Sequence, residues 1–220
     1  NSARTGDKVT RPWIGASFQN VTSDIAESLG MQRPRGALVV AVSSGSPADD
    51  AELKIGDVVL RVNDRAVNHP DALGYRLDTL GVGNKATVHV LTRGERRQIQ
   101  IALIAPPEDP PRDIRDMPEG SPLWGAQVAN VSPALTQEYS IANVEDGVVV
   151  LRIAASSPAS FNGLRPRDVV REVNGTEIES TRHLQRIVSK DAHSWQFVVE
   201  RGGEYLIFER RGGFLRQYRR

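Results

Sequence analysis

Two glycines, Gly15 and Gly125, stand where bulky apolar residues give way to a strand-like run. The first lies in Arg-Pro-Trp-Ile-Gly-Ala-Ser over 11–17, the second in Ser-Pro-Leu-Trp-Gly-Ala-Gln over 121–127. Successive backbone amides in a turn converge on an anion without spending a charged side chain, and glycine gives such a turn its dihedrals and a close approach. The chemistry this suits is capture of a carboxylate, with Trp13 and Ile14 walling a pocket beside the amides. A strand running from Ala16 through Ser17 and Phe18 to Asn20 would, as a sheet edge, pair with an extended peptide. A helix carrying Leu73, Arg76 and Leu77 would form the opposite wall. Plainer readings of the same residues stand beside this one. The glycines would start strands with a bulge, Leu73 and Leu77 would be an apolar stripe packed into a core, Arg76 would be solvated, and Trp13 and Trp124 would be packing.

Catalytic chemistry finds no support. The four histidines, His69, His89, His183 and His193, share no metal-ligating spacing. There is no Gly-x-Ser-x-Gly elbow and no glycine-rich phosphate loop. The serines of Ser-Ser-Gly-Ser-Pro-Ala-Asp-Asp over 43–50 contain Ser46-Pro47, which reads as a helix start. Cysteine is absent, which excludes disulfides and thiolate metal sites. A formal net charge of +1 gives no overall pull toward nucleic acid or anionic membrane, and no apolar run approaches the roughly 20 residues a spanning helix needs. The first residues, Asn1 to Thr10, are neither a methionine start nor a secretion signal, so the chain reads as a piece of a longer protein.

The positioning elements are written twice. Pro12 and Pro122, Gly15 and Gly125, and Asn20 and Asn130 are each 110 residues apart. After one inserted residue the register continues: 36–53 matches 147–164, and Asp-Val-Val-Leu-Arg-Val-Asn-Asp (57–64) matches Asp-Val-Val-Arg-Glu-Val-Asn-Gly (168–175). Each copy reads as a strand after the glycine, a short helix, an apolar strand, a Ser-Pro-Ala helical turn, an alternating strand with its valines on one face, a tight turn at Asn63-Asp64 or Asn174-Gly175, a helix, and two closing strands. The expected organisation is a leading segment 1–10, a first domain 11–105, a spacer 106–119, a second domain 120–210 and a basic tail 211–220. The spacer is dominated by proline and charge and is expected to be stiff and coreless. The tail interleaves Phe214 and Tyr218 with arginines and is expected to fray in solvent.

The Φ-Φ-Gly-Φ entry, the Ser-Pro-Ala…Leu…Gly-Asp-Val-Val…Val-Asn stretch and the helix after it resemble a PDZ domain of the permuted bacterial type. Two in tandem, entered by Arg-Pro-Trp-Ile-Gly, resemble the C-terminal half of an HtrA-type (Do-like, DegP-like) periplasmic serine protease. The resemblance implies a mostly β fold with short helices (α+β), as two partly open β-barrel domains with two helices each. It places the carboxylate-binding loops at Trp13, Ile14, Gly15 and Ala16 and at Leu123, Trp124, Gly125 and Ala126. The grooves then comprise Ser17, Phe18, Leu73, Arg76 and Leu77, and Gln127, Val128, Leu184 and Val188. It implies capture of unfolded polypeptides and free C-termini, no cofactor or metal, no nucleic acid, and a periplasmic parent with an upstream protease domain. That parent would be a trimer-based homo-oligomer with chaperone activity, the fragment alone a monomer. Two departures weaken the motif: Asp64 stands where glycine is usual, and Arg167 stands where the first copy has Gly56, implying a strained turn. The second groove helix, Thr-Arg-His-Leu-Gln-Arg-Ile-Val-Ser-Lys, is also basic and polar. Other parentages remain: the PDZ pair of a membrane-embedded zinc protease, or a scaffold whose grooves are filled by its own linker or tail.

Overall fold

A computed structural model of the chain describes residues 10–141, 144–211 and 214–219. The leading segment expected over 1–10 thus lies, up to residue 9, outside the described residues. The chain divides into two compact units, 1–106 and 107–220. Both are mostly β with short helices.

The first unit runs β1 (Ala16–Asn20), α1 (Ser23–Ser28), β2 (Ala37–Val42), α2 (Pro47–Asp50), β3 (Val58–Val62), β4 (Arg65–Ala66), α3 (Pro70–Leu80), β5 (Lys85–Thr92) and β6 (Glu95–Ala102). The sheet order is β1-β2-β3-β5-β6, with β4 on β3. Beyond its two ends Trp13 and Ile104 pair through their backbones, at 2.8 and 3.3 Å, so the sheet curls into a partly open barrel. The Ser-Pro-Ala turn is a third helix, one more than expected. Its cap is Ser46, whose side chain accepts from the Asp49 amide while Pro47 occupies the first turn, where a missing N–H costs nothing.

The second unit begins with β7 (Arg115–Asp116) and repeats the pattern as β8 (Ala126–Asn130), α4 (Pro133–Tyr139), β9 (Val148–Ile153), α5 (Pro158–Phe161), β10 (Val169–Val173), β11 (Thr176–Glu177), α6 (Thr181–Val188), β12 (Ser194–Arg201), β13 (Glu204–Arg211) and β14 (Phe214–Arg219). Its sheet order is β14-β13-β12-β10-β9-β8-β7, with β11 on β10. Two expectations are corrected here. The proline-rich segment is no free spacer, because it supplies β7 to this sheet. The tail does not fray among its described residues: β14 pairs with β13 from Leu206↔Arg219 to Arg211↔Phe214, and the Tyr218 hydroxyl donates to Glu209 at 2.6 Å.

The valines of the alternating strands do not share one face. Val59 and Val62 join the main core with Leu73, Leu77, Val88 and Ile101, whereas Val58 packs under α1 with Val21 and Ala26. Adjacent Val58 and Val59 point to opposite faces as in any strand, and a bulge between Val59 and Arg61 brings Val62 onto the Val59 face. The second copy repeats it, with Val170 and Val173 in the main core and Val169 in the satellite. Before each bulged strand a buried aspartate closes the turn. Asp57 accepts from the Lys54 amide and pairs with Arg97 of β6; Asp168 accepts from the Arg165 amide and pairs with Arg201 of β12.

Candidate functional site

The first loop is built by its carbonyls. Those of Ile14 and Gly15 accept from the amides of Ala48 (2.9 Å) and Ser43 (2.8 Å), and that of Trp13 accepts from Ile104. The loop is thereby fixed to α2 and to the strand end. Among the described residues, the amides of Ile14 and Gly15 donate to no backbone carbonyl. Two successive unspent donors beside a half-buried tryptophan are the makings of an anion nest. Gly15 holds φ +75°, and a Cβ there would lie 2.1 Å from Ser46 Cβ. The glycine is thus required by packing against the Ser-Pro-Ala cap. Gly125 repeats this against Ser157 at 2.3 Å. The bulge reading also has substance: both strands slip register two residues on, at Ser17/Phe18 and Gln127/Val128.

Beyond the loop, β1 is the sheet edge, hydrogen-bonded among the described residues to β2 alone. Ala16, Ser17 and Phe18 are half-buried and Gln19 and Asn20 exposed. Across from it on α3, Leu73 and Leu77 are only 2% and 6% exposed. They belong to the core and support the groove floor from beneath, the plainer of the two readings. Arg76 is half-buried, and its Nε has no partner among the described residues, so it is not simply a solvated cation.

The second copy places its residues differently. Leu123 is buried at 1% while Trp124 is 44% exposed, the reverse of the first copy, where Ile14 is the buried anchor. Two tight turns cause this. The Trp124 amide donates to the Ser121 carbonyl (3.1 Å) and the Ala126 amide to Leu123 (3.0 Å). The first of these bonds spends the donor that matches Ile14's, while the Gly125 amide, matching Gly15's, donates to no backbone carbonyl among the described residues. Strand β8 is covered: Ala126, Val128, Ala129 and Asn130 are all buried.

What covers β8 is the chain itself. Strand β7 runs antiparallel to it, with Arg115 opposite Val128 and Asp116 opposite Gln127. The Met117 amide donates to the Ala126 carbonyl (2.9 Å), and the Asn130 amide donates to Arg112 (2.7 Å). The Asn130 side chain donates to Pro111 and accepts from the Thr181 amide, each at 2.8 Å, joining the segment to the start of α6. The segment is extended at Arg115 and Asp116, and before them the backbone turns at Asp113, where φ is +41°. Asp113 accepts from the Thr181 hydroxyl at 2.9 Å, and Arg115 donates to Gln185 on α6 at 2.9 Å. Met117, 3% exposed, enters the buried cluster of Leu123, Ala126, Val128, Leu184 and Val188. Hydrogen bonds from Arg115 first, and then from Thr181, hold the Asp113 carboxyl below its ordinary pKa. Of these residues the sequence reading named the strand and helix positions and missed Asp113, Arg115 and Met117.

Arg167 stands in the turn where the first copy has Gly56. It adopts φ +74° where Gly56 has +92°, and both amides make the same bond, to Val150 at 2.8 Å and to Val39 at 2.9 Å.

Comparison with known proteins agrees with this architecture. The family described as PDZ domain matches residues 12–103 and 125–209. A probable periplasmic serine endoprotease, DegP-like, of Pseudomonas putida (strain GB-1) is 34% identical over 191 residues, covering 86% of this chain and 40% of the relative. Its namesake from Pseudomonas fluorescens (strain Pf-5) is 31% identical over 188 residues, covering 85% and 39%. The chain thus spans about two fifths of the curated relatives it matches. Among solved structures, one of HtrA-type protease AlgW with a tripeptide is 26% identical, with a TM-score of 0.44, covering 50% of this chain and 36% of that one.

Proposed function

This chain belongs to the PDZ domain family, in two copies, and on that premise we propose that its first domain captures extended polypeptides, by preference at a free C-terminus, for a DegP-like periplasmic serine endoprotease whose catalytic part is not in this chain. The peptide adds a strand to β1 and sets its carboxylate on the Ile14 and Gly15 amides. The observation that carries the reading is the contrast between the copies. In the second, an extended segment lies antiparallel on the glycine-led strand beside the helix. In the first, among the described residues, the same edge pairs with β2 alone and the Ile14 and Gly15 amides donate to no backbone carbonyl. The relatives' names favour a serine endoprotease over a membrane-embedded zinc protease, and among the described residues no helix is long and apolar enough to cross a membrane. The chain's share of this work is recognition. Peptide binding would regulate the parent's protease and chaperone activities, and the second domain would help arrange its oligomer.

The binding energy expected is modest. Backbone hydrogen bonds net about 1 kcal/mol each, and one buried apolar terminal side chain adds about 1.5–3 kcal/mol. Ordering the peptide takes several back, which leaves a Kd on the order of micromolar. Calorimetry on the whole chain tests this with one apolar-ended peptide in three forms: free acid, C-terminal amide, and acid with its backbone amides N-methylated. The acid alone is expected to bind at micromolar Kd. Equal binding of acid and amide refutes the carboxylate nest, and equal binding of the N-methylated form refutes strand addition.

A further inference from the structure

The segment on β8 continues past Met117 into the loop of its own domain, so it offers no terminal carboxylate. The loop offers a carboxylate fewer donors than the first, having closed the Trp124 and Ala126 amides onto Ser121 and Leu123 and kept, of the matching pair, that of Gly125. What the groove reads instead is side chains two residues apart: Asp113 at Thr181, Arg115 at Gln185, Met117 in the apolar cluster. The outward residues, Ile114 and Asp116, are exposed and contribute no such contact to α6. Asn130 fastens the segment's start through both its backbone and its side chain.

We propose that residues 111–117 are a tethered ligand that holds the second groove shut, and that this groove, once free, binds a non-terminal segment of the pattern Asp-x-Arg-x-Met, turned at its aspartate and extended from its arginine. The ligand class follows from the partners. The Thr181 hydroxyl and Arg182 at the start of α6 take an acidic residue, the Gln185 side-chain oxygen takes an arginine that also grips that acid through two hydrogen bonds of 3.0 Å, and the buried cluster takes an unbranched apolar residue. Tethering makes the closure strong. A covalently attached segment acts at an effective concentration on the order of millimolar. Against an outside segment of about micromolar affinity, that suppresses binding roughly a thousandfold. The inference concerns the second groove alone and does not rest on the reading of the first.

The experiment uses the whole chain and a fluorescent peptide copying residues 110–119, capped at both ends so that it carries no free terminus. The wild-type chain is expected to show no binding below about 100 µM. Met117→Asp and, separately, Arg115→Ala are expected to bind the peptide at least a hundredfold more tightly than wild type, with Met117→Asp the larger effect. A peptide carrying aspartate in place of its methionine is expected not to bind either variant. Amide exchange in β8 is expected to quicken in both variants and to slow again when the peptide is added. Arg115→Ala leaves the apolar cluster intact, so it keeps the test decisive where Met117→Asp unfolds the domain. Wild type binding the peptide as tightly as Arg115→Ala overturns the closure. Binding that requires an uncapped C-terminal carboxylate overturns the ligand class. Unchanged β8 exchange in Arg115→Ala with no peptide binding makes the segment a fixed part of the fold and overturns both.

Discussion

At the scale of single residues, Gly15 serves two ends that the sequence merges. Its positive φ turns the loop, and its missing Cβ admits the Ser46 cap. An alanine there incurs about 1–2 kcal/mol of left-handed strain and about 1–3 kcal/mol of overpacking. Gly15→Ala is therefore expected to lower the melting transition of the first unit by 2 kcal/mol or more, on the order of ten degrees. A loss of peptide binding with no change in melting would instead make the glycine a ligand contact only. Arg167 presents the opposite case, a side chain where the backbone asks for glycine. Relief of the strain is worth about 1–2 kcal/mol, and the added freedom of unfolded glycine takes back about 0.5–1 kcal/mol. The relief wins by a narrow margin, so Arg167→Gly is expected to raise the second unit's melting point by a few degrees in scanning calorimetry. No rise would mean that the turn has relaxed around the arginine.

At the scale of elements, the repeated strands, the caps and the tight turns were legible because each rests on local chemistry. Serine at Ser46, Ser157 and Ser180 caps a helix as its type suggests. The opposite faces of adjacent Val58 and Val59 follow from the two-residue period, but the face of Val62 was not legible, because a bulge at Val59/Arg61 leaves no mark in residue type. Strand β7 was obscured by composition: the prolines around it argue against a core, while the alternation of Asp113, Arg115 and Met117 is too short to be seen beside them. Strand β14 had a signal that charge outweighed, the Gly212-Gly213 dipeptide between two alternating runs. The pinned aspartates illustrate a further limit, since β6 supplies the arginine in one copy and β12 in the other. The docking of β7 also has a pH dependence. Asp113 titrates below its unfolded value because Arg115, Thr181 and Arg182 favour its charged form. Its contribution is therefore full above the ordinary aspartate pKa, about 3.9, and is lost as pH falls through the lower folded value. Asp113→Asn is expected to melt earlier than wild type at pH 7, with the gap closing as pH falls below that range. A gap independent of pH would remove the charge of Asp113 from the account.

At the scale of the whole molecule, one unit written twice carries a segment of its own chain on the glycine-led strand in the second copy, and in the first, among the described residues, that strand pairs with β2 alone. The fold was readable from the repeat, and so was the family. The site was readable only as a position: sequence placed two glycine-led strands beside two helices, and nothing local said that one edge would be open and the other occupied. That difference arises from residues 107–118, which lie outside the repeated unit and reach back across it. Conversely, Leu73, Leu77, Leu184 and Val188 look alike in both copies and are core in both. Side chains that distinguish the copies are Arg76, whose Nε has no partner among the described residues, and Ile187 at the matching position, packed against the core. In the proposed division of labour the first edge receives polypeptide and the second is already filled. The most direct measurement is backbone amide exchange across the whole chain, with and without a saturating apolar-ended peptide acid. The account predicts slow exchange in β8 before any peptide is added, fast exchange at the free edge of β1, and new protection confined to β1 and the Ile14–Gly15 loop. New protection in β8, or none in β1, would contradict it.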